Sequence, residues 1–325
     1  MNSAIETFDL QKSFAGTKAV RGIDLQVQRG IVYGLLGPNG AGKTTTIRML
    51  TTLLKPSGGS ARVLGHDLVR EAAAIRAKVS LTGQYASVDE DLTGTENLVL
   101  IARLLGLSWA QARSRARELL DAFELSEAAQ RQVRTFSGGM RRRLDIAASL
   151  ILTPELLFLD EPTTGLDPRS RNQVWEIVRS IAAEGTTVLL TTQYLEEADR
   201  LANRLAVIDH GRVIAEGTSK ELKASVGGNV LQLRLQHPEL LVQAQQLLAQ
   251  ILDSEVHPGG EPGTLSVQIA RDELALQALT ALGNAGIGIA DLSLGQPSLD
   301  DVFFALTGHA AEPVNKEQTG QEIKS

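Results

Sequence analysis

Short apolar runs alternate with longer stretches of helical spacing over the first two thirds of the chain. Residues 31–36, 156–159 and 186–190 are apolar runs of strand length. Apolar positions recur at helical spacing from residue 95 to about 134, which predicts a long, arginine-rich helical stretch, and residues 169–184 predict a further helix. Strands that alternate with helices predict a largely parallel, doubly wound α/β core.

The pattern of apolar positions restarts after Gly227. It predicts strands at 229–235, 264–270 and 287–294, and helices at 238–252, 272–283 and 299–306. Two strand–helix–strand units in so short a segment predict a small α+β domain of the ferredoxin-like type. From His309 onward the chain is polar and charged, which predicts a disordered tail.

The distribution of charge suggests the same boundary. Residues 1–225 carry 28 Lys and Arg against 26 Asp and Glu, a net charge of +2, whereas residues 226–325 carry 4 against 12, a net charge of −8. We therefore predict one domain at 1–225, with a helical subdomain at about 85–150, an accessory α+β domain at 226–308 and a tail at 309–325. Nucleic acid is not an expected partner, because its phosphates attract basic surfaces and the C-terminal part is acidic.

Composition excludes several other classes of function. Hydrophobic residues make up 43% of the 325 residues, which is ordinary for a globular protein. No apolar run approaches the roughly 18–20 residues of a membrane-spanning helix, and the N-terminus does not have the pattern of a secretory signal. The chain has no cysteine, so disulfides, cysteine-based zinc sites and a cysteine nucleophile are excluded, which fits a reducing cytosol.

A glycine-rich segment after the run at 31–36 fits the phosphate-loop pattern G-x-x-x-x-G-K-[ST]. A surface turn with a lysine would match the same letters, but the strand before the segment and the helix after it, predicted to run to Leu54, favour the phosphate loop. Its N–H groups can hold phosphate oxygens, the lysine can reach the β and γ phosphates, and the hydroxyl after it can ligate Mg²⁺. The predicted phosphate-binding residues are Gly37, Pro38, Asn39, Gly40, Ala41, Gly42, Lys43, Thr44 and Thr45.

Two carboxylates, Asp160 and Glu161, follow the apolar run at 156–159. This position is the carboxyl end of a predicted strand, where α/β sheets bind their ligands. Asp160 can take part in the coordination of Mg²⁺, and Glu161 is placed to act as a general base on an attacking water molecule. Such a pair alone is most often a solvated loop, but a phosphate loop earlier in the chain favours the catalytic interpretation.

The segment Phe136-Ser137-Gly138-Gly139-Met140 resembles the L-S-G-G-Q signature of ABC ATPases, and it lies between the phosphate loop and the Asp-Glu pair, as it does in that family. The resemblance extends over about residues 5–225. Phe14 matches the aromatic residue that stacks on adenine, and Gln84 matches the glutamine that links the γ-phosphate region to the helical subdomain and reaches the metal. Gly165-Leu166-Asp167 matches the loop that meets the partner subunit.

Two departures from the family pattern matter. The first and last signature residues are Phe136 and Met140 instead of Leu and Gln, both outside the Ser-Gly-Gly that faces phosphate, and Gln193 stands where a switch histidine is usual. The departure at Gln193, the segment 208–212 and the segment 297–303 together resemble the ATPases of daunorubicin/doxorubicin-resistance exporters. That resemblance implies outward transport of a hydrophobic drug or antibiotic.

The resemblance to ABC ATPases implies a mechanism and a set of partners. ATP and Mg²⁺ are the expected cofactors, with Thr44, Gln84 and Asp160 at the metal, and Lys43, Glu161, Gln84 and Gln193 in catalysis. Two ATP-binding subunits are expected to form a homodimer in which Ser137, Gly138 and Gly139 of one subunit face the nucleotide of the other. An integral membrane permease subunit is expected to hold this dimer, as a peripheral protein, at the cytoplasmic face of the membrane.

Two other functions remain open from the sequence. The first is a soluble, non-transport ABC ATPase, although such proteins commonly carry two nucleotide cassettes or a long coiled coil, and this chain has one phosphate loop and no sustained heptads. The second is a regulatory ATP-binding module with little turnover, which only Gln193 suggests and which the intact Glu161 argues against.

Overall fold

The computed structural model describes residues 3–83, 87–226, 229–254, 256–258, 263–269, 273–295 and 297–307. It divides into two compact units, the first ending at Glu216 and the second beginning at Gly217. The predicted boundary lies at residue 226, whereas the structure divides after Glu216, so the helix at 219–226 belongs to the second unit. The predicted tail at 309–325 lies outside the described residues.

Strands and helices alternate through most of the first unit. Among the described residues its strands are β1 (Ser3–Phe14), β2 (Thr17–Gln28), β3 (Val32–Leu36), β4 (Gly58–Val63), β5 (His66–Asp67), β6 (Val79–Thr82), β7 (Leu156–Asp160), β8 (Thr187–Thr192), β9 (Arg204–Asp209) and β10 (Arg212–Gly217). Its α-helices are α1 (Lys43–Leu50), α2 (Ala72–Arg76), α3 (Gly94–Leu104), α4 (Trp109–Ala122), α5 (Gly138–Ser149), α6 (Pro168–Ala183) and α7 (Leu195–Leu201).

The central sheet of the first unit has the order β10-β9-β3-β8-β7-β6, and β3, β6, β7, β8 and β9 run parallel. This confirms the predicted α/β core. A second, antiparallel sheet with the order β2-β1-β4-β5 was not predicted.

Strands β3, β7 and β8 in the middle of the central sheet are buried along their whole length, as is typical of parallel strands. Along β7, Leu156 and Phe158 belong to a core shared with α1 and the antiparallel sheet, whereas Leu157 and Leu159 belong to a core shared with α3, α4, α5 and α6. Successive strand residues point to opposite faces, so a continuous apolar run is what such a strand requires. Polar residues lie at the carboxyl ends of two of these strands, with Asp160 at the end of β7 and Thr191 and Thr192 at the end of β8.

The long helical stretch predicted at 95–134 is not one continuous helix, and this part of the prediction is wrong. It consists of α3, α4 and two short 3₁₀ turns at Ser126–Ala128 and Val133–Thr135. Gly106, with φ 93°, follows the end of α3, and the Ser108 side chain then begins α4 with a capping box. Likewise, α1 ends at Leu50 and not at Leu54, because Thr52 adopts φ 63°.

The second unit begins with α8 (Ser219–Val226), which packs against the last helix, α11 (Leu299–Thr307). Its other elements are β11 (Asn229–Leu235), a 3₁₀ turn (Pro238–Leu240), α9 (Leu241–Leu252), β12 (Val256–Pro258), β13 (Thr264–Ile269), α10 (Glu273–Asn284) and β14 (Ile289–Gly295).

The strand order of the second unit is β12-β13-β11-β14, with antiparallel neighbours. The succession of strand, helix, two strands, helix and strand in this order is the ferredoxin-like arrangement, which confirms the predicted fold class. The short strand β12 was not predicted.

Candidate active site

The glycine-rich segment forms the connection between β3 and α1. Gly40 and Gly42 adopt φ values of 82° and 103°, which side chains with a Cβ rarely adopt. A Cβ atom on Gly42 would also lie 2.6 Å from the carbonyl oxygen of Ala19 in β2. The loop therefore needs glycine at this position both for its turn and for its close approach to the N-terminal hairpin.

Lys43 is the first residue of α1, and its side chain is only 4% exposed. Its ammonium donates to the carbonyl oxygens of Gly37, at 2.6 Å, and Pro38, at 3.1 Å, so it lies over the loop. The same nitrogen is 3.5 Å from Oε1 of Glu161. The phosphate loop and the Asp-Glu pair, which are far apart in the sequence, therefore meet at this ammonium.

Asp160 ends β7 and accepts two hydroxyl hydrogen bonds at its Oδ1 atom. Thr44 donates at 3.1 Å and Thr191, from the neighbouring strand β8, donates at 2.6 Å. Asp160 is buried, so the two hydroxyls hold its carboxylate in place. An aspartate and a threonine hydroxyl this close together are hard oxygen donors of the kind that Mg²⁺ prefers beside phosphate oxygens. Thr44 and Asp160 therefore fit the metal.

Glu161 has the backbone conformation of a strained residue. Its φ is 49°, in the left-handed region that costs a residue with a side chain about 1–2 kcal/mol. Its N–H donates to Oγ1 of Thr191 at 3.0 Å, and Thr164 donates to its Oε2 at 3.3 Å. Strain at a buried carboxylate is often associated with function, and here it turns the Glu161 side chain toward Lys43.

The segment that resembles the ABC signature begins α5. Ser137 is the N-cap, and its hydroxyl accepts a hydrogen bond from the N–H of Met140 at 3.2 Å. Ser137 and Gly138 are exposed, whereas Gly139 is buried against Ser170 of α6. The exposed N-terminus of this twelve-residue helix presents N–H groups and a positive dipole to its surroundings.

Of the four remaining predicted site residues, three lie within the described part of the chain. Gln193 follows β8, and its side-chain oxygen is buried without a hydrogen-bond partner among the described residues. Phe14 lies at the end of β1 with its ring 45% exposed and the ammonium of Lys12 5.1 Å from the ring centre. Thr45 is half-buried in the first turn of α1. Gln84 lies outside the described residues, so its role stays a prediction.

Three residues that were not predicted complete the surroundings of Glu161. Thr191 orients Asp160 and Glu161 together, as described above. Arg142 of α5 is buried and donates to main-chain carbonyl oxygens on both sides of Glu161. Glu197 of α7 is fully buried and accepts hydrogen bonds from Thr163, at 2.8 Å, and from the indole of Trp175, at 3.1 Å. Its burial raises the pKa of its carboxyl group. Their long-range contacts leave no local motif, and only for Arg142 and Glu197 could the burial of a charged side chain have been a signal.

Sequence comparisons place the chain among transport proteins. Residues 20–164 match the ABC transporter family, and residues 217–307 match the C-terminal domain of DrrA1-3-like ATP-binding proteins. The chain is 60% identical over 321 residues to the daunorubicin/doxorubicin resistance ATP-binding protein DrrA of Streptomyces peucetius, covering 99% of this chain and 97% of that protein. It is 44% identical over 305 residues to the doxorubicin resistance ATP-binding protein DrrA of Mycobacterium tuberculosis, covering 93% and 92%.

A solved structure supports the same assignment of the fold. The structure of an ATP-binding subunit of an ABC transporter superposes with a TM-score of 0.62 at 31% sequence identity, covering 69% of this chain and 94% of that chain. Among the described residues, every helix is too short or too polar to cross a bilayer.

Proposed function

This chain belongs to the DrrA-type ATP-binding proteins of ABC transporters, and from that premise we propose that it drives the export of a hydrophobic drug or antibiotic through a separate membrane permease. It is an ABC transporter ATPase, in which ATP hydrolysis is coupled to transport. The proposed class of substrate rests on two relatives, whose names refer to resistance to daunorubicin and doxorubicin.

One observation carries the proposed mechanism: Lys43, Thr44, Asp160 and Glu161 converge at the carboxyl end of β7. Lys43 supplies the positive charge for the β and γ phosphates, and the N–H groups of residues 37–44 hold the phosphate oxygens. Thr44 and Asp160 hold Mg²⁺, which when bound neutralises the charge that develops on the phosphates.

Glu161 is the proposed general base. Its carboxylate accepts the proton of the attacking water, while the adjacent Lys43 ammonium keeps positive charge beside it and beside the phosphates. Gln193 donates a hydrogen bond from its side-chain amide to the γ-phosphate, at the position where the family usually has a histidine. An amide can make this contact but does not titrate, so it serves as a geometric sensor of the phosphate.

The exposed signature residues support a dimeric mechanism. Ser137 and Gly138 lie at the N-terminus of α5, where N–H groups and the helix dipole favour an anion. In the proposed homodimer this terminus binds the γ-phosphate held by the partner subunit, so each nucleotide is enclosed by two chains. Closure on ATP and reopening after hydrolysis then move the permease, through which the chain is bound to the membrane as a peripheral subunit.

The test first identifies the membrane protein that co-purifies with this chain in detergent. The two proteins are then co-expressed and assayed together. Glu161→Gln should bind a fluorescent ATP analogue with wild-type affinity, while hydrolysis falls roughly 10²–10⁴-fold because the amide cannot accept the proton. Glu155→Gln is the matched control. Glu155 lies immediately before the first residue of β7, at the end of the strand away from Glu161, and it pairs with Arg29 and Lys78 at the surface.

Cells that contain wild-type or Glu155→Gln protein should exclude doxorubicin, and cells that contain Glu161→Gln should accumulate it. Wild-type turnover in Glu161→Gln would remove Glu161 from the mechanism. An active ATPase that purifies without any membrane protein and leaves doxorubicin accumulation unchanged would support a soluble, non-transport ATPase instead.

A further inference from the structure

Arg142 lies in the second turn of α5, five residues after Ser137, and its side chain is 10% exposed. Its guanidinium donates three hydrogen bonds, all of them to main-chain carbonyl oxygens. The acceptors are Gly83 at 2.7 Å, Pro162 at 2.8 Å and Asp160 at 3.1 Å. Because arginine keeps its charge and presents several N–H groups in a rigid plane, it can hold three separate pieces of backbone at once.

Two of these acceptors flank the proposed base. The carbonyl groups of Asp160 and Pro162 lie immediately before and after Glu161, whose φ of 49° a residue with a side chain rarely adopts. The N–H of Glu161 is held from another element, by Thr191 of β8. The turn that aims the Glu161 carboxylate is thus fixed by a side chain of β8 and a side chain of α5.

Asp145, three residues after Arg142, supports this arrangement from the same helix. It is fully buried, and its Oδ2 lies 3.6 Å from Nη1 of Arg142. Its Oδ1 accepts from the N–H of Ser87, at 2.8 Å, and from the hydroxyl of Ser87, at 2.6 Å. Through Arg142 and Asp145 together, α5 binds Gly83 and Ser87, as well as the turn at Glu161.

We propose that Arg142 is a positioning residue for ATP hydrolysis, which holds the turn that carries Glu161 in its reactive orientation, and that Asp145 holds Arg142 in place. This inference rests on the proposed role of Glu161 as the general base. Among the described residues, the hydrogen bonds of Arg142 go to main-chain carbonyl oxygens and its ion pair is with Asp145, so its proposed effect on hydrolysis passes through Glu161.

The neighbouring Arg143 provides a matched control. Its side chain is 11% exposed, almost the same as that of Arg142, and it also donates to a main-chain oxygen, that of Phe123 at 2.9 Å. Its ion pair is with Glu124, between α4 and α5. A substitution at Arg143 therefore removes a charge of similar side-chain exposure from the same helix without releasing the carbonyl groups beside Glu161.

The experiment measures single-turnover ATP hydrolysis and the affinity for a fluorescent ATP analogue in the complex with the permease. Arg142→Gln should lower the rate roughly 10–100-fold, the size of effect expected for a misplacement near 1 Å, while the affinity stays within about threefold. The rate of Arg142→Lys should lie between those of Arg142→Gln and wild type, because lysine keeps the positive charge but replaces the planar set of N–H donors with one ammonium group. Arg143→Gln should react at a rate close to wild type.

A double-mutant cycle separates positioning from a general structural effect. If Arg142 acts through Glu161, Arg142→Gln should slow the Glu161→Gln protein by less than about threefold, because the base it positions is already lost. The same loss factor in both backgrounds, or wild-type turnover in Arg142→Gln, would overturn the proposal. If Arg142→Gln does not fold, Asp145→Asn decides with the same cycle, since it weakens the hold on Arg142 and keeps an acceptor for Ser87.

The two proposals fail in different ways. A wild-type complex without ATPase activity would overturn the proposed function, and with it the role of Arg142. An active wild type in which Glu161→Gln is inactive, but Arg142→Gln and Asp145→Asn are not slowed, would overturn only the positioning role.

Discussion

Gly139 makes a packing contact that accepts no side chain. A Cβ atom at this position would lie 2.6 Å from Cβ of Ser170 and would overlap its hydroxyl oxygen. Ser170 cannot easily turn away, because its N–H and its hydroxyl both donate to Asp167, at 3.0 Å and 2.6 Å. Any residue larger than glycine must therefore push α5 and α6 apart.

The size of the effect follows from this distance. Carbon atoms in good contact lie about 3.5–4.0 Å apart, so Gly139→Ala requires a shift of about 1 Å between two packed helices. Overpacking of this kind typically destabilises by about 1–3 kcal/mol. With a urea dependence of about 2–3 kcal/mol per molar, the unfolding midpoint should fall by roughly 0.3–1.5 M.

The assay is urea unfolding followed by tryptophan fluorescence. The chain has two tryptophans, Trp109 and Trp175, and both lie in the first unit, so the signal reports the unit that contains Gly139. Gly138→Ala is the control, because a Cβ there would lie 3.7 Å from Leu166, an ordinary contact, and its midpoint should stay within about 0.2 M of wild type.

Removing the obstructing side chain should rescue the variant. Ser170→Gly eliminates both atoms that a Cβ on Gly139 would meet, although it costs about 0.5–1 kcal/mol by itself as a glycine within α6. We expect Gly139→Ala with Ser170→Gly to be more stable than the sum of the two single losses, by at least about 1 kcal/mol. Strict additivity, or a Gly139→Ala midpoint equal to that of Gly138→Ala, would refute the steric argument.

Three further outcomes are expected. Lys43→Ala should lose tight binding of ATP, measured by equilibrium dialysis, because it deletes a charge-assisted contact to the phosphates; unchanged affinity would contradict the site. Gln193→Ala should slow hydrolysis, whereas Gln193→His should keep it and gain a pH dependence between about pH 6 and 7; wild-type turnover in Gln193→Ala would show that the side chain does not reach the phosphate. Burial raises the pKa of Glu197, so its contribution to stability is full below the ordinary glutamate pKa of 4.5 and declines as the pH rises through the folded pKa. The urea midpoint of Glu197→Gln, which does not titrate at this position, should rise relative to that of wild type as the pH increases from 5 to 8. Parallel pH profiles of the two midpoints would contradict this prediction.

The sequence predicted those parts of the fold in which periodicity and local motifs agree. The central α/β core and the ferredoxin-like unit were predictable because their strands and helices bury regular faces, and regular burial gives a regular pattern of apolar residues in the sequence. The antiparallel sheet escaped prediction because β1 is irregular: Asp9 adopts φ 48°, and its pairing with β2 shifts register several times. Each shift reverses which residues face the core, so the period-two pattern is lost.

The candidate site divides in the same way. The phosphate loop and the Asp160-Glu161 pair each consist of consecutive residues, so a local motif can describe each of them. Thr191 and Arg142 reach these residues from β8 and α5, across 31 and 18 positions of the chain. Contacts over such separations depend on which strands become neighbours in the sheet, and spacing along one sequence does not carry that information.

The buried charges connect the chemistry of the site to its stability. Among the described residues, the buried side chains that carry formal charge are Lys43, Arg142, Asp145, Asp160, Glu161 and Glu197. All of them are near the carboxyl ends of β7 and β8 or on the helices packed there. Burial of a charge costs several kcal/mol unless partners compensate, and an apolar core of equal volume is often as stable. Stability alone therefore gives little reason to gather four carboxylates and two cations at one place. Catalysis gives one, because groups fixed in advance in a water-poor site need no rearrangement when charge develops on the reacting phosphate.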